Sequence, residues 1–232
     1  MGDRARRLGV TPYTRPMELS PDSLAIADRY KLLIGGVVPR PIAFVSTIST
    51  RGRLNLAPFS FFNGVGSNPM TVLFCPANDE HGEEKDTLRN CKPVEEGGTG
   101  EFVVNAAVEA YAAEVAACAE PLEHGDSEFE LSGLTPAPSV VVAPPRVKES
   151  PLCFECRTVQ VVRTNPGAPA GGNIVIGRVV HVFVRDDVLG ERHHILPGPL
   201  AAIGRMGGPT YTRTRDRYDM PPGRRALEHR GR

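Results

Sequence analysis

Residues 39–62 read PRPIAFVSTISTRGRLNLAPFSFF, and this stretch decides the fold. It contains two runs rich in β-branched and aromatic residues, the first beginning at Arg40 and the second extending from Leu54 to Phe62. Between them lies T-R-G-R, where Gly52 suits the backbone of a tight turn. Two such runs around a glycine turn predict a β-hairpin.

Short runs of the same kind recur along the chain and predict further strands. They cover residues 70–75, 102–105, 140–142, 152–162 and 173–184. The last two flank a Pro- and Gly-rich loop and predict a long hairpin. Two helices are expected, at residues 83–90 and at the Ala-rich residues 106–119. So many strands and so few helices argue against the alternating βαβ units of a doubly wound dinucleotide fold and favour an antiparallel barrel.

Composition divides the chain into three parts. The polar residues 1–30, with prolines at positions 12, 16 and 21, predict an arm, and residues 31–204 form the expected domain. From Arg205 onward, eight arginines stand against three acidic residues, so residues 205–232 predict an extended, Arg-rich tail. A chain of 232 residues is long enough for one substantial core.

The charge balance argues against several classes of function. With 27 basic and 27 acidic side chains the net charge is +0, which favours a small molecule or a protein over nucleic acid as the partner. Nucleic-acid binding by a barrel also needs aromatic stacking platforms, and aromatic residues make up 6% with no Trp. No apolar run reaches the ~18 residues of a membrane span, and no secretory signal is evident. Five scattered cysteines indicate a reducing compartment, so we expect a cytoplasmic protein without membrane association.

The residues around the hairpin turn are candidates for ligand binding. Hydroxyl groups at Ser46 and Thr47 precede the turn, and Asn55 and Ser60 follow it within an apolar strand. Hydroxyls and free N–H groups at a strand end can form a concavity that accepts a phosphate. Such residues also occur on hairpins that bind nothing, so both interpretations stay open at this point.

Lys85 is a further candidate, because K-D-T at residues 85–87 is expected to open a short helix whose N–H groups attract anions. Asp86 fits the first turn of that helix better than a ligand-binding role. The residues alone are equally consistent with a solvated surface lysine.

A series of further segments follows the hairpin sequence in a fixed order. They are K-D-T-L-R-N at 85–90, T-G-E-F-V-V-N at 99–105, F-E-L-S-G-L-T-P-A-P-S at 129–139, E-S-P-L-C-F-E-C at 149–156, I-G-R-V-V-H-V at 176–182 and R-M-G-G-P-T-Y at 205–211. Together with the hairpin, this ordered set resembles the flavin reductase-like, FMN-binding split-barrel family. The resemblance spans roughly residues 30 to 222.

The resemblance implies a mainly β fold, a six-stranded antiparallel Greek-key split barrel with a few peripheral helices. It also implies a homodimer that holds FMN near the subunit interface. Carried over position by position, the residues that would face the FMN phosphate are Ser46, Thr47, Lys85 and Thr87. Those that would flank the isoalloxazine edge are Asn55, Ala57 and Ser60, and Tyr211 would approach the ring from the C-terminal segment.

The activity that the resemblance implies is NAD(P)H-dependent reduction of flavin, or of an acceptor through bound FMN. No catalytic side chain is expected, since the protein would supply orientation and hydrogen bonds to the cofactor. No G-x-G-x-x-G follows a strand, so NAD(P)H would bind transiently as a co-substrate. A partner monooxygenase or another electron acceptor would complete the reaction. The alternative is a non-catalytic flavin-binding or electron-carrier protein on the same fold.

Other reactive residues carry weaker signals. Cys153 and Cys156 form a C-x-x-C motif inside a predicted strand, where positions three apart point to opposite faces. His124 and the pair His193 and His194 lack the helical H-E-x-x-H spacing of a metal site. We therefore expect neither a redox cysteine pair nor a metal site.

Overall fold

The computed structural model describes residues 17–123 and 126–229. Outside these ranges lie the first sixteen residues of the predicted arm, His124 and Gly125, and the last three residues of the predicted tail. The strands are β1 (Arg40–Pro41), β2 (Ala43–Ile48), β3 (Leu54–Phe59), β4 (Phe62–Ser67), β5 (Met70–Phe74), β6 (Glu101–Ala106), β7 (Pro136–Ala137), β8 (Arg146–Val147), β9 (Leu152–Arg163), β10 (Asn173–Val184), β11 (Ile203–Arg205) and β12 (Tyr211–Arg213).

The α-helices of the described residues are short. They are α1 (Ile26–Gly36), α2 (Asp86–Cys91), α3 (Ala112–Ala117), α4 (Glu128–Ser132) and α5 (Pro197–Leu200). None of these helices is long and apolar enough to cross a bilayer. The first of them, α1, begins inside the predicted arm, and the division into arm, domain and tail stays a prediction.

The main sheet has seven antiparallel strands in the order β3-β2-β6-β9-β10-β5-β4. Two small sheets accompany it, β1-β11-β12 and β7-β8. The predicted hairpin is confirmed as β2 and β3, which pair in a register that sets Thr47 opposite Asn55. Gly52 in the turn has a φ of 80°, a conformation that favours glycine. The predicted long hairpin is β9 and β10.

The strand count differs from the six that the resemblance implied, and the Greek-key connection stays a prediction. The predicted second run, ending at Phe62, bends at Ser60, and residues 62–67 form the separate strand β4. This strand contains Gly64 and Gly66, which weaken intrinsic strand preference. Pairing with β5 overrides that preference and adds a seventh strand at the sheet edge.

The helix predicted at 106–119 is shorter in the structure. Ala106 ends strand β6 and its N–H donates to Ser150 Oγ at 3.1 Å. A single 3₁₀ turn covers Glu109–Tyr111, and Tyr111, with φ −137° and ψ 39°, separates it from α3. Tertiary pairing of Ala106 therefore outweighs the helical preference of the Ala-rich sequence.

The strand predicted at 140–142 is absent, because the backbone of these residues has another partner. The N–H groups of Val140, Val141 and Val142 donate to the carboxylate of Glu155, at 2.8 Å, 2.6 Å and 3.3 Å. Glu155 lies on β9 and is 1% exposed. These hydrogen bonds hold the pKa of Glu155 below its usual value, against the opposing effect of burial. A buried carboxylate thus takes the place of a neighbouring strand.

Alternating residues of β2 feed two apolar clusters on opposite faces of the sheet. Phe44 packs in a cluster with Leu56 and Tyr111, and Val45 packs with Phe74 in the other. Each such buried side chain stabilises the fold by about 1.5–3 kcal/mol. The hairpin is therefore packed on both faces, which fixes the direction of every side chain on β2.

Arg40 joins α1 to the sheet. Its side chain is buried, and it donates to the carbonyls of Ile34, Val37 and Met206, the last two at 3.0 Å and 2.9 Å. Its Nε donates to Ser60 Oγ at 3.2 Å. Burial lowers the pKa of Arg40, and in the described part of the chain it has no carboxylate partner. The C-terminal carbonyls of α1 are well suited to accept this cation.

Candidate functional site

Helix α2 is fastened to the β2–β3 hairpin by two side-chain hydrogen bonds. Asn55 Nδ2 donates to Thr87 Oγ1 at 2.9 Å, and Asn90 Nδ2 donates to Thr47 Oγ1 at 3.0 Å. All four side chains are buried. Because buried polar groups with partners cost little and specify one arrangement, these bonds fix where α2 begins relative to β3.

Helix α2 forms from the sequence D-T-L-R-N-C for local reasons. Leu88 and Cys91 are fully buried and anchor one face of the helix. Asp86 lies in the first turn, where its negative charge interacts favourably with the helix dipole and stabilises the helix. Lys85 immediately precedes the helix in an extended conformation, with an exposed side chain. The helix therefore presents Lys85 and Thr87 at its start, beside β3.

A cavity of about 410 Å³ lies between β3, α2 and the chain that follows α3. We call it the α2 cleft. Its volume falls within the range of ~300–1,000 Å³ that small-molecule sites occupy. Four of the residues predicted from the sequence line it: Asn55, Ala57, Lys85 and Thr87. Thr47 lies beneath them through its contact with Asn90.

The lining of the α2 cleft also includes acidic side chains. Its acidic rim consists of Asp79, Glu83, Glu84 and Glu120. Lys92 and Arg163 neutralise Glu84 at 2.9 Å and 2.7 Å, and these partners keep its pKa below the usual value although burial opposes them. Lys85 forms no ion pair with any side chain in residues 17–123 or 126–227. Its ammonium group is therefore available to a ligand.

Glu128 closes the inner end of the α2 cleft. It is buried, and its Oε2 accepts the N–H of Leu56 at 2.9 Å. Leu56 belongs to β3, an edge strand, so this carboxyl group replaces a missing neighbouring strand. Burial raises the pKa of Glu128 above its usual range. Cys118 also lines the cleft, and burial raises its pKa to about 11.

Three of the predicted residues lie away from the α2 cleft. Ser46 is adjacent to Thr47 on β2 and therefore faces the other side of the sheet, where its Oγ donates to the Pro145 carbonyl at 2.5 Å. Ser60 accepts from Arg40. Tyr211 lies on β12 with the Arg205 guanidinium 4.4 Å from its ring centroid. The structure thus brings together five of the eight predicted residues and not these three.

Two residues at the site were missed in the sequence. Asn90 stands in the quoted segment K-D-T-L-R-N, and its position three residues after Thr87, on the same side of a helix, was the available signal. Glu128 had no local signal, because it reaches β3 from 72 positions further along the chain. Long-range capping of a strand edge leaves no short pattern.

Comparison with known proteins agrees with this architecture. Residues 35–206 match the family described as Flavin reductase like domain. The structure of nitrilotriacetate monooxygenase component B from Bacillus cereus is 35% identical, covers 89% of this chain and 99% of that chain, and superposes with a TM-score of 0.81. The structure of 2-nitrobenzoate 2-nitroreductase NbaA from Pseudomonas fluorescens is 29% identical, covers 90% of this chain and 97% of that chain, and superposes with a TM-score of 0.77.

A relative known from its sequence extends the comparison. An uncharacterized protein from Halalkalibacterium halodurans is 37% identical over 205 residues, which cover 88% of this chain and 95% of that protein. The match at 35–206 spans the hairpin, α2 and all seven strands of the main sheet. The chain therefore belongs to the flavin reductase-like domain family.

Proposed function

We propose that the chain binds FMN in the α2 cleft and acts as an NAD(P)H-dependent oxidoreductase that reduces flavin, or an acceptor through the bound FMN. The observation that carries this proposal is the convergence of Asn55, Ala57, Lys85 and Thr87 on one cavity of about 410 Å³. Family membership supports it, and so does the similarity to a monooxygenase component and a nitroreductase.

The residues of the cleft fit an anionic, planar ligand. Lys85 supplies a cation without an ion-pair partner in the described part of the chain, and Thr87 supplies a hydroxyl beside it. The two groups suit a phosphate, because a charge-assisted hydrogen bond contributes ~1.5–3 kcal/mol. Asn55 and Ala57 lie on β3 and line the same cavity, where a ring system can pack against the strand. These two features support FMN as the ligand of this cavity.

Roles follow from these positions. Lys85 and Thr87 hold the phosphate, and Asn55 and Ala57 orient the ring edge. Thr47 acts beneath them by fixing Asn90 and with it the start of α2. In this assignment Ser46, Ser60 and Tyr211 stabilise the surrounding structure, since their side chains are engaged elsewhere.

The chain contributes binding and orientation, and the flavin supplies the capacity to take up and release a hydride. The nicotinamide dinucleotide binds transiently, and the electrons pass to a partner monooxygenase or another acceptor. The Bacillus cereus relative is named as component B of a monooxygenase, which supports a protein partner of this class.

The visible spectrum of the purified protein tests the proposal. We expect a flavin absorption band in the protein as isolated or after reconstitution, with FMN bound more tightly than FAD. Anaerobic addition of NADH or NADPH should bleach this band. Equal or tighter binding of FAD contradicts the FMN assignment. A bound flavin that neither nicotinamide reduces favours the alternative, a non-catalytic flavin-binding or electron-carrier protein.

A homodimer is part of the proposal. Ile26, Tyr30 and Leu33 follow helical spacing along α1, Val37 comes directly after its end, and each of the four is more than half exposed. An apolar stripe of this kind on a helix is typical of a surface that another chain covers. We therefore place α1 at the contact with a second copy.

A further inference from the structure

A second cavity, of about 270 Å³, adjoins the α2 cleft at the turn of the β2–β3 hairpin. The two cavities share Asn55, Asp86 and Arg89 in their linings, so a ligand can extend from one to the other. Gly97 and Asp126 lie on its far side. The proposed FMN-binding residues Lys85 and Thr87 do not line it.

This second cavity, which we call the arginine cavity, contains three arginines, Arg51, Arg53 and Arg89. Arg89 is engaged with Glu83 at 2.7 Å and with Asp86 at 3.7 Å. Among the side chains of residues 17–123 and 126–227, Arg51 and Arg53 have no ion-pair partner. These two guanidinium groups attract an anion into the cavity.

The turn that carries the two arginines is ordered by its own backbone. Ser49 Oγ accepts the N–H groups of Arg51 and Arg53 at 3.3 Å and 3.0 Å, and the Ser49 N–H donates to the Arg53 carbonyl at 2.8 Å. Gly52, with its positive φ, completes the turn. The hydrogen bonds that order this turn come from its backbone and from Ser49, and not from the side chains of Arg51 and Arg53. Substituting these two side chains is therefore expected to leave the turn intact.

We propose that the arginine cavity is an anion subsite for the diphosphate of an adenine dinucleotide. The inference rests on the proposed function, in which the flavin ring occupies the adjoining α2 cleft. Two guanidinium forks on either side of one glycine match two adjacent phosphate groups, since each fork binds phosphate oxygens in a bidentate manner. The diphosphate belongs to the nicotinamide dinucleotide or to FAD, and the chain holds it without a glycine-rich dinucleotide motif.

Calorimetric titration of ADP into the FMN-saturated protein tests the subsite. Arg51→Ala/Arg53→Ala should weaken ADP binding by about tenfold or more, the loss expected for two phosphate contacts at an exposed site. The matched control is Arg157→Ala/Arg178→Ala, a pair of exposed arginines opposite each other on β9 and β10 and outside both cavities. The control should change ADP affinity less than about twofold.

The affinity for FMN separates the subsite from the cofactor site. It should stay within about threefold of wild type in Arg51→Ala/Arg53→Ala. An FMN loss as large as the ADP loss overturns the proposal, because the arginines then belong to the FMN phosphate. Equal ADP affinities of the two double variants overturn it as well. Wild-type protein that fails to bind FMN refutes the proposed function instead, and the ADP affinities of the same variants are then compared in the flavin-free protein.

Two further arms identify which dinucleotide supplies the diphosphate. If it is the nicotinamide cofactor, the double variant should raise the KM for NADH and leave that for reduced nicotinamide mononucleotide, which lacks the diphosphate, unchanged. If it is FAD, the variant should weaken FAD binding and spare both nicotinamides. If the double variant causes no loss in either arm, the proposal is overturned. Arg51→Gln/Arg53→Gln repeats each measurement with longer polar side chains, should the alanine variant prove unstable.

Discussion

Replacing Lys85 by alanine is expected to weaken FMN binding by about 1–3 kcal/mol, the range for losing a charge-assisted hydrogen bond. A difference of 1.4 kcal/mol is tenfold, so the dissociation constant should rise about 5- to 140-fold. Lys85 is exposed, and water screens its charge, which places the loss in the lower half of that range. The neighbouring carboxylates of Glu83 and Glu84 are each paired with a cation, so their repulsion of the phosphate adds little to this loss.

Fluorescence titration of FMN measures this loss, with Lys31→Ala as the control. Lys31 is an exposed lysine on α1 that pairs with Asp28 at 2.9 Å and lies outside the α2 cleft. Salt gives a second readout, since added salt should weaken FMN binding in the wild type more than in Lys85→Ala. A dissociation constant that changes less than about twofold, or equally in both variants, refutes the role assigned to Lys85.

Three further predictions concern assembly, cysteines and pH. Light scattering should show a dimer, and a monomer that still holds FMN contradicts the placement of α1 at the contact. Replacing Cys153 and Cys156 by serine should lower stability but leave the rate of flavin bleaching by NADH unchanged in rapid mixing; a large fall with FMN still bound would assign the cysteines a redox role. Burial raises the pKa of Glu128 in the folded protein. The free energy of unfolding should therefore fall as the pH rises from the ordinary glutamate pKa of about 4.3 through the raised pKa of the folded state. Urea unfolding should show a flatter pH profile in Glu128→Gln, but not in the exposed control Glu130→Gln.

Much of the fold follows from local sequence. The β2–β3 hairpin could be predicted, because its two runs and its glycine turn are adjacent in the chain. The conformation of residues 140–142 could not be predicted locally, because their N–H groups donate to the side chain of Glu155, which lies on another element. Strand β4 was missed for a related reason. Its glycines break the alternation of apolar and polar residues that predicts a strand, and the segment becomes a strand by pairing with β5.

The candidate site shows the same division. Lys85 and Thr87 could be placed together from the short helix that they open, and Asn55 from its position on the hairpin. Ser46 and Thr47 are neighbours on one strand, and the alternation of side chains already implies that they point to opposite faces of the sheet. Glu128 depends on the way that distant segments meet at the edge of β3, and no short pattern records that meeting.

The hydrogen bonds of Arg40 bear on how the chain is made. Two of its acceptors, the carbonyls of Ile34 and Val37, lie within six positions, whereas the Met206 carbonyl follows 166 positions later. On the ribosome, which releases the N-terminal part first, this cation therefore waits for its last acceptor until most of the chain has been synthesised. A nascent chain that stops before Met206 must keep Arg40 in water or bury it with an acceptor missing. The hydrogen bond that ties Arg40 to the C-terminal segment thus forms late, although Arg40 and the neighbouring helix α1 are translated early.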